Sequence, residues 1–279
     1  MSEPLALAVV GAGRAGRARV RALEASATAR LAGVVSQGAP DGPSFAGVLA
    51  DPGVDGVILC TPNLQHAAQA SAALEARKHV LVEFPAAASP DEFRALLERA
   101  AEQDVVLHEE HIELLSPSQA WLRERARALG APRTGTLTFT GSAEGWIADP
   151  ALAGTPALCA LARLHRLVDL FGEAEVRSAA LACSDGPGYR LEVELGFAAS
   201  GRVTLIEQRA PGSARGTHWA VECERGTIGN PPAEPASGLF ARDLDCFVAR
   251  VREVAAPYVS DARCAHVFEL VAAIERCLC

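Results

Sequence analysis

The N-terminal part of the chain alternates between short apolar runs and longer segments with the spacing of amphipathic helices. The apolar runs are bounded by glycine, proline or small polar residues, as buried parallel strands are. Five strands are predicted at 5–10, 31–36, 56–60, 80–83 and 105–107, and three helices at 14–25, 64–76 and 90–103. Alternating strands and helices predict a parallel sheet that is covered by helices on both faces.

The pattern changes after residue 111, where apolar and polar residues alternate with the period of half-exposed β-strands. Strands are predicted at 134–140, 176–182, 190–197, 203–208 and 218–223, and helices at 117–129, 158–171, 239–254 and 262–277. Glycine and proline separate the strands, which favours an open antiparallel β-sheet. We therefore predict an α/β domain over residues 1–112 and an α+β domain, built on the antiparallel sheet, over residues 113–279.

Composition narrows the possible partners. The formal net charge of −8 argues against nucleic acid and anionic membrane surfaces, so an anionic small molecule would need a local cluster of arginines. No apolar run approaches the ~18–20 residues of a membrane span, and the N-terminus lacks the basic region of a signal peptide. The 8 cysteines have no metal-ligand spacing, which predicts free thiols and no metal site. We expect a cytoplasmic protein that acts on a small molecule, with its oligomeric state open.

The first predicted strand ends in a glycine-rich turn with the sequence GAGRAG. Its G-x-G-x-x-G spacing follows a strand and opens a helix, which is the setting of a dinucleotide-binding Rossmann fold. Gly11 permits the tight turn, Gly13 lets the backbone approach a pyrophosphate, and Gly16 lets the helix pack closely on the strand. The phosphates then meet free N–H groups at the helix N-terminus, so we place Arg14 and Ala15 in the cofactor site as well.

The end of the second predicted strand bears on the choice of nucleotide. NAD-specific sites usually have an acidic residue there, but this chain has Ser36-Gln37-Gly38. Without a carboxylate, nothing repels a 2′-phosphate, and the Ser36 hydroxyl and the Arg14 guanidinium would receive it. We therefore favour NADPH and leave the use of NADH open.

Two further segments are CTPNLQH at 60–66 and HVLVEFP at 79–85. Together with the glycine turn, they resemble the glucose-fructose oxidoreductase / inositol dehydrogenase family. That family has a Rossmann domain followed by an open antiparallel sheet. Its typical members carry Glu-Lys-Pro after the fourth strand, and that lysine is implicated in sugar oxidation. Here the triplet is Glu83-Phe84-Pro85, and a phenyl ring cannot transfer a proton. This departure argues against a sugar dehydrogenase.

The segments LHEEHIELL at 107–115, RLVDLFGE at 166–173 and LIEQRAPG at 205–212 resemble the biliverdin reductase branch of the family. The resemblance extends over nearly the whole chain. It implies hydride transfer from NAD(P)H to the central methine carbon of biliverdin, a linear tetrapyrrole, giving bilirubin. Biliverdin reductases usually have tyrosine where Phe84 stands, so Phe84 either presents an apolar face to the tetrapyrrole or packs in the core.

The resemblance also implies further cofactor contacts. The segment with Thr61, Pro62, Asn63 and His66 lies beside the cofactor in the resembled family, and Asn63 is a suitable cap for the helix that follows. Glu83 ends a parallel strand at the edge of the sheet where ligands bind. It either touches the nicotinamide amide or ribose, with a catalytic role, or fixes the turn at the following proline.

Arg163 is the leading candidate for the catalytic site. It lies on the predicted helix at 158–171, which faces the nicotinamide in this family, and it matches an arginine of biliverdin reductases. It would bind the lactam oxygens of the tetrapyrrole or organise a proton-donating water, since an arginine is a poor acid. The alternative is an exposed helical arginine, or one paired with Asp169 or Glu173.

The remaining candidates concern the proton and the two propionates of the substrate. Three ionisable residues lie near the domain boundary: Glu110, His111 and Glu113. In a catalytic role, Glu110 or His111 would supply the proton and Glu113 would contact the substrate. The alternative is that all three form a hydrogen-bonded hinge. Arg209 and Arg215, on a glycine-rich loop, would bind the propionates or be solvated. The tetrapyrrole is expected at the domain junction, against the nicotinamide.

Two other functions remain open from the sequence. One is an oxidoreductase of the same fold that acts on a sugar or cyclitol, which the missing lysine disfavours. The other is a non-catalytic NAD(P)-sensing protein, which would keep the glycine turn and need no catalytic residues.

Overall fold

The computed structural model describes residues 3–36, 42–233 and 237–279. The chain forms two compact units, and each unit is made of two stretches of sequence. The first unit comprises Met1–Ile112 and Ser237–Ala262, and the second comprises Glu113–Ala236 and Arg263–Cys279. The predicted boundary after residue 112 coincides with one of these divisions, but the sequence pattern did not associate the segment at 237–262 with the first unit.

The first unit is built on a five-stranded parallel sheet with the order β2-β1-β3-β4-β5. Its strands are β1 (Leu5–Val10), β2 (Ala29–Val35), β3 (Gly56–Leu59), β4 (His79–Val82) and β5 (Leu107–Glu109). Its helices are α1 (Arg14–Glu24), α2 (Phe45–Ala50), α3 (His66–Glu75), α4 (Pro90–Glu102) and α9 (Leu239–Val251). This arrangement confirms the predicted Rossmann-type α/β fold.

The core of the first unit explains why α9 belongs to it. Apolar side chains of β1, β3 and β4 pack in one cluster with α1 and α9. Three residues of α9 are almost fully buried there: Leu244, Phe247 and Val248. Burying such side chains contributes roughly 1.5–3 kcal/mol each, so α9 is an integral part of the hydrophobic core of this unit.

The second unit is built on a six-stranded sheet with the order β11-β10-β6-β9-β8-β7. Its strands are β6 (Pro132–Ser142), β7 (Ala174–Cys183), β8 (Tyr189–Phe197), β9 (Arg202–Ala210), β10 (Gly216–Cys223) and β11 (Gly226–Ile228). Its helices are α5 (Pro117–Leu129), α6 (Pro150–Ala153), α7 (Pro156–Cys159), α8 (Leu161–Phe171) and α10 (Asp261–Leu278), the last of which starts in the segment before Arg263.

The sheet of the second unit corrects one prediction. Four of its five strand pairs are antiparallel, but β6 and β9 run parallel, so the sheet is mixed. Parallel neighbours need a long crossover connection, and the chain between β6 and β9 supplies one that contains α6, α7, α8 and two strands. The alternating pattern of a strand is the same in both kinds of pair, so periodicity alone did not reveal the parallel pair.

The predicted elements agree with the structure except in detail. The structure adds α2, α6 and β11, which are too short for a clear periodic signal, and it places β5 two residues later than predicted. The helix predicted at 158–171 is divided into α7 and α8. In the described parts of the chain, no helix is both long enough and apolar enough to cross a membrane.

Candidate active site

The carboxyl ends of the parallel strands in the first unit carry many of the predicted residues. Gly11 follows β1, Thr61 lies just beyond β3, Glu83 follows β4, and Glu110 follows β5. In open parallel sheets, ligands bind in the crevice at this edge, at the point where the strand order reverses. Here the order reverses beside β1, since β2 lies on one side of it and β3 on the other.

The glycine turn fits a bound pyrophosphate. Gly11 has a φ of +102°, and a Cβ there would lie 2.6 Å from the Cys60 carbonyl oxygen, so the fold itself requires glycine. A Cβ on Gly16 would lie 1.9 Å from the Gly11 carbonyl oxygen, which also requires glycine. A Cβ on Gly13 meets nothing within 4 Å, although this residue caps α1. The space beside Gly13 therefore suits a phosphate group that binds the N–H groups of the helix.

The neighbouring nucleotide-site candidates lie at the surface of the same unit. Arg14 is the first residue of α1 and is exposed, while Ala15 and Ser36 are half-buried. Ser36 follows β2 directly. Gln37 and Gly38, which bear on the choice between NADPH and NADH, lie outside the described residues.

The loop after β3 is held by His66. Its Nδ1 atom lies 2.8 Å from the Pro85 carbonyl oxygen, and its Nε2 atom lies 2.8 Å from the Thr61 carbonyl oxygen. Burial lowers the pKa of His66, which is only 1% exposed. The ring thus joins the loop after β3 to the turn after β4. A role of His66 in direct contact with a ligand stays a prediction.

Asn63 was expected to cap the helix after β3, and this prediction is wrong. Asn63 begins a short 3-10 turn, Asn63–Gln65, while Gln65 is the cap of α3. The intervening turn displaces the helix start by two residues. Thr61 and Pro62 precede this turn and are half-buried. Both lie at the carboxyl end of β3, at the edge of the sheet described above.

Glu83 is held by an arginine that the sequence analysis did not select. The Nε atom of Arg19 donates to Glu83 Oε1 at 2.7 Å, and its Nη1 atom lies 2.7 Å from Asp243 Oδ2. Burial raises the pKa of Glu83, and Arg19 opposes that rise. Phe84 follows and is half-buried. One signal could have revealed Arg19, because it shares the buried stripe of α1 with Gly16 and Leu23.

Glu110 and His111 are both buried in the first unit. Glu110 is 1% exposed, and its Oε1 atom accepts a hydrogen bond from the Ile112 amide at 2.7 Å. Burial, followed by the charges of Glu83 and Asp243, raises the pKa of Glu110 well above its usual value. Burial and the two carboxylates therefore favour the protonated form of Glu110. His111 Nε2 lies 3.2 Å from Glu109 Oε2.

The second unit brings together four arginines and two glutamates, and three of the arginines surround one aromatic ring. Three guanidinium groups lie over the ring of Phe139, at 4.3 Å for Arg163, 5.2 Å for Arg209 and 5.6 Å for Arg215. Arg163 and Arg209 share the buried carboxylate of Glu207 in ion pairs of 2.9 Å. Burial raises the pKa of Glu207, and both guanidinium groups oppose it.

Glu113 completes this cluster. It forms an ion pair with Arg215 and lies 3.9 Å from Arg166. Burial by itself would raise the pKa of Glu113, but Arg163, Arg215 and Arg166 hold it below its usual range. Together, the six charged residues are called the arginine cluster below: Arg163, Arg166, Arg209, Arg215, Glu113 and Glu207. With both glutamates ionised it has an excess of two positive charges.

Two predictions about the cluster are corrected. Arg163 is 2% exposed and pairs with Glu207, whereas the sequence analysis left open an exposed residue or a pair with Asp169 or Glu173. Asp169 pairs with two other arginines instead. Arg209 lies on β9 and not on a loop.

Sequence reasoning also missed Glu207 as a member of the site. It continues the buried face of β9, which contains Val203 and Leu205, so a charged residue at a core-facing position was the available signal.

Comparison with known proteins defines the class. A family model described as "Oxidoreductase family, NAD-binding Rossmann fold" matches residues 5–111, and one described as "Biliverdin reductase, catalytic" matches residues 121–235. The glycine turn and the strand-end residues lie within the first match, and most of the arginine cluster lies within the second. The protein is thus an NAD(P)H-dependent oxidoreductase, as the sequence predicted.

Full-length relatives narrow the class further. Biliverdin reductase A of Mus musculus is 33% identical over 282 residues, which cover 96% of this chain and 94% of the mouse protein. Biliverdin reductase A of Homo sapiens is 32% identical over 255 residues, with coverage of 87% and 84%. The chain belongs to the biliverdin reductase family, which confirms the resemblance.

A solved structure shares the fold. The crystal structure of biliverdin reductase from Synechocystis sp. PCC 6803, in complex with biliverdin and NADP⁺, matches with a TM-score of 0.86. The match covers 99% of both chains at 21% sequence identity.

Proposed function

We propose that this protein reduces biliverdin to bilirubin with NADPH. The observation that carries the proposal is the arginine cluster in the second unit. Biliverdin has two propionates, and the cluster has an excess of two positive charges in a chain whose net charge is −8. An accumulation of arginines around an aromatic ring suits a planar, apolar dianion better than a neutral sugar.

The arginines differ in what they offer a ligand. The side chain of Arg215 is 58% exposed and that of Arg209 is 12% exposed, whereas that of Arg163 is 3% exposed. We assign propionate binding to Arg215 and Arg209 for this reason. Arg163, fixed by Glu207, orients the ring of Phe139 and the cluster, and it is the proposed contact for the lactam oxygens.

The first unit supplies the proposed cofactor site. Gly11, Gly13, Arg14, Ala15 and Gly16 would hold the pyrophosphate. When bound, the reduced nicotinamide supplies the hydride for the methine carbon. Glu83 would lie beside it at the carboxyl end of β4.

Ser36 and the segment from Thr61 to His66 line the same strand-end edge, and Ser36 is the proposed contact for the 2′-phosphate of NADPH. A cytoplasmic location is part of this proposal, because the reaction consumes a cytosolic reductant.

The pyrrole nitrogen of the substrate needs a proton. Glu110 is the residue best suited to hold one, since burial raises the pKa of its carboxyl group and its Oε2 atom has no hydrogen-bond partner among the described residues. A neutral carboxylic acid donates a proton more readily than an arginine does. We assign Glu110 as the proton source, and His111 as the neighbour that would resupply it.

The central experiment mixes the purified protein with biliverdin and either NADPH or NADH, and follows absorbance. Conversion from green to yellow with either nucleotide supports the function, and faster conversion with NADPH supports the assignment of the cofactor. A protein that binds a nucleotide without converting biliverdin would contradict it.

A second experiment tests the role of Arg215. Arg215→Ala should raise KM for biliverdin about tenfold and change kcat little, because it removes an exposed contact to a propionate. With biliverdin dimethyl ester, which lacks the negative charges, wild type and variant should have similar KM values. Arg202→Ala, at an exposed position of β9, is the matched control. Equal KM values of wild type and Arg215→Ala for biliverdin would remove Arg215 from the site.

A further inference from the structure

Arg19 occupies an unusual position for a charged residue. Its side chain is fully buried in the first unit, between the carboxylates of Glu83 and Asp243, each at 2.7 Å. The guanidinium group also lies 4.8 Å from the centre of the Phe240 ring. Burial by itself lowers the pKa of Arg19, but the two carboxylates raise it above its usual value. Arg19 is therefore a permanent cation with a fixed orientation.

Asp243 fixes the far side of this arginine. Its Oδ1 atom accepts hydrogen bonds from Tyr258 at 2.6 Å and from His108 Nε2 at 3.0 Å. Burial would raise the pKa of Asp243, but Arg19 and His108 hold it well below its usual range. The carboxylate is thus anchored from β5 and from the segment between α9 and α10, and it in turn holds Arg19 against Glu83.

Glu83 is the one carboxylate of this group that reaches the surface. Its side chain is 16% exposed, whereas those of Arg19 and Asp243 are fully buried. The titratable and charged groups that face it are Arg19, Asp243, Glu110 and Cys60. Burial raises the pKa of both Glu110 and Cys60, which disfavours a charge on either group. The ion-paired set of Glu83, Asp243 and Arg19 has one more carboxylate than guanidinium.

We propose that Arg19 is a positioning residue that holds Glu83 as a fixed carboxylate, whose charge favours the oxidised nicotinamide over the reduced one. The inference rests on the proposed function, which puts the nicotinamide at the carboxyl end of β4. The reduced ring is neutral and the oxidised ring carries a positive charge. A preorganised carboxylate beside it therefore stabilises the charge that develops as the hydride leaves.

The test compares the dissociation constants of NADP⁺ and NADPH, measured by calorimetry and by nicotinamide fluorescence. Glu83→Gln keeps the size of the side chain and removes its charge. It should raise the ratio of Kd for NADP⁺ to Kd for NADPH about tenfold at neutral pH, as the loss of one nearby charge predicts. Arg21→Met, at an exposed position of α1, is the matched control and should keep the wild-type ratio.

Arg19 variants test the positioning role through pH. Arg19 lowers the pKa of Glu83, so Arg19→Met lets that pKa rise further. The carboxyl group is then neutral below the raised pKa. The nucleotide ratio should equal that of wild type at high pH and approach that of Glu83→Gln as the pH falls. Arg19→Lys keeps a cation and should restore much of the wild-type profile, which a purely structural role would not produce.

The outcomes separate this proposal from the proposed function. A wild-type protein that binds neither nucleotide overturns both. A wild-type protein that binds NADPH and reduces biliverdin, with the same nucleotide ratio in Glu83→Gln, overturns this inference alone. If Arg19→Met fails to fold, Arg19→Lys decides the role of Arg19. A nucleotide ratio close to that of wild type supports the proposal, and a ratio equal to that of Glu83→Gln at every pH contradicts it.

Discussion

At the scale of single residues, Glu113 already occupies guanidinium groups that the proposed substrate needs. It is ion-paired with Arg215 and lies near Arg166, and the surrounding arginines keep it ionised. A propionate that binds Arg215 therefore has to compete with a carboxylate of the protein itself. This competition favours the binding of dianions over monoanions, because a monoanion gains less from displacing Glu113.

Glu113→Gln should therefore lower KM for biliverdin by about threefold to tenfold, since the variant frees Arg215 and raises the positive charge of the cluster. Steady-state kinetics at several ionic strengths would measure the change. Glu222→Gln, at an exposed position of β10, makes the same change of net charge elsewhere in the unit. A higher KM in Glu113→Gln would mean that Glu113 orients Arg215 and does not compete with the substrate.

The stability of the first unit should depend on the protonation of one carboxyl group, that of Glu110. Its pKa in the folded state is raised, first by burial and then by Glu83 and Asp243. A group of this kind contributes stability below its unfolded pKa, and that contribution is lost as the pH rises through the folded pKa. Stability should therefore fall as the pH rises above the unfolded pKa of about 4.3, because the unfolded chain releases this proton before the folded protein does.

Glu110→Gln should flatten that dependence, since an amide resembles the protonated acid and does not titrate. The free energy of unfolding would be measured with urea from about pH 4 to about pH 9, a range in which one titrating group changes it by up to about 1.4 kcal/mol per pH unit. Glu98→Gln, at an exposed position of α4, is the control. The same variant should turn over biliverdin more slowly if Glu110 is the proton source. The same loss of stability with rising pH in wild type and Glu110→Gln would contradict a raised pKa of Glu110.

At the scale of elements, two glycines of the same turn are required for different reasons: Gly16 is needed for folding, and Gly13 is needed for the ligand to bind. Gly13→Val should leave the free energy of unfolding nearly unchanged and abolish binding of NADPH, because only the pyrophosphate needs that space. Gly16→Val should instead prevent folding, since even a Cβ collides with the Gly11 carbonyl oxygen. Thermal unfolding and nicotinamide fluorescence would measure both effects. Tight NADPH binding by a folded Gly13→Val protein would show that the cofactor does not approach Gly13.

The elements also show what a single sequence can predict. Strands and helices longer than about six residues were found because burial imposes a period on them, and GAGRAG was found because its chemistry is local. The parallel pairing of β6 with β9 was missed because strand direction depends on the connection and not on the period.

The arginine cluster was found only in part. Arg163, Arg209 and Arg215 were selected by resemblance or by charge, but their grouping around Phe139 depends on contacts between residues far apart in the chain. Glu207 and Arg19 were missed because each is a charge within an otherwise apolar stripe. Such a residue resembles an error in the pattern until its partner is known.

At the scale of the whole molecule, each unit is discontinuous in sequence. The first unit contains the segment Ser237–Ala262, and Asp243 on that segment reaches Arg19 of α1. Removing one partner of a buried ion pair leaves an uncompensated charge. Asp243→Asn should therefore lower the free energy of unfolding by about 3–5 kcal/mol.

Urea denaturation of Asp243→Asn would measure this loss. Asp245→Asn, two residues later on α9 and exposed, should differ from wild type by less than about 0.5 kcal/mol. A similar small effect for both variants would show that the pair of Arg19 with Asp243 contributes little to stability.

The return of α9 to the first unit has a consequence for how the chain is made. A ribosome releases the strands of the nucleotide-binding unit first, yet Leu244, Phe247 and Val248 complete its core only when the chain is almost finished. The second unit likewise waits for the segment after Arg263. Neither half of the gene therefore encodes a piece that can finish folding on the ribosome. The newborn chain therefore exposes apolar surface of both units until α9 and α10 emerge, and such surface is prone to aggregation.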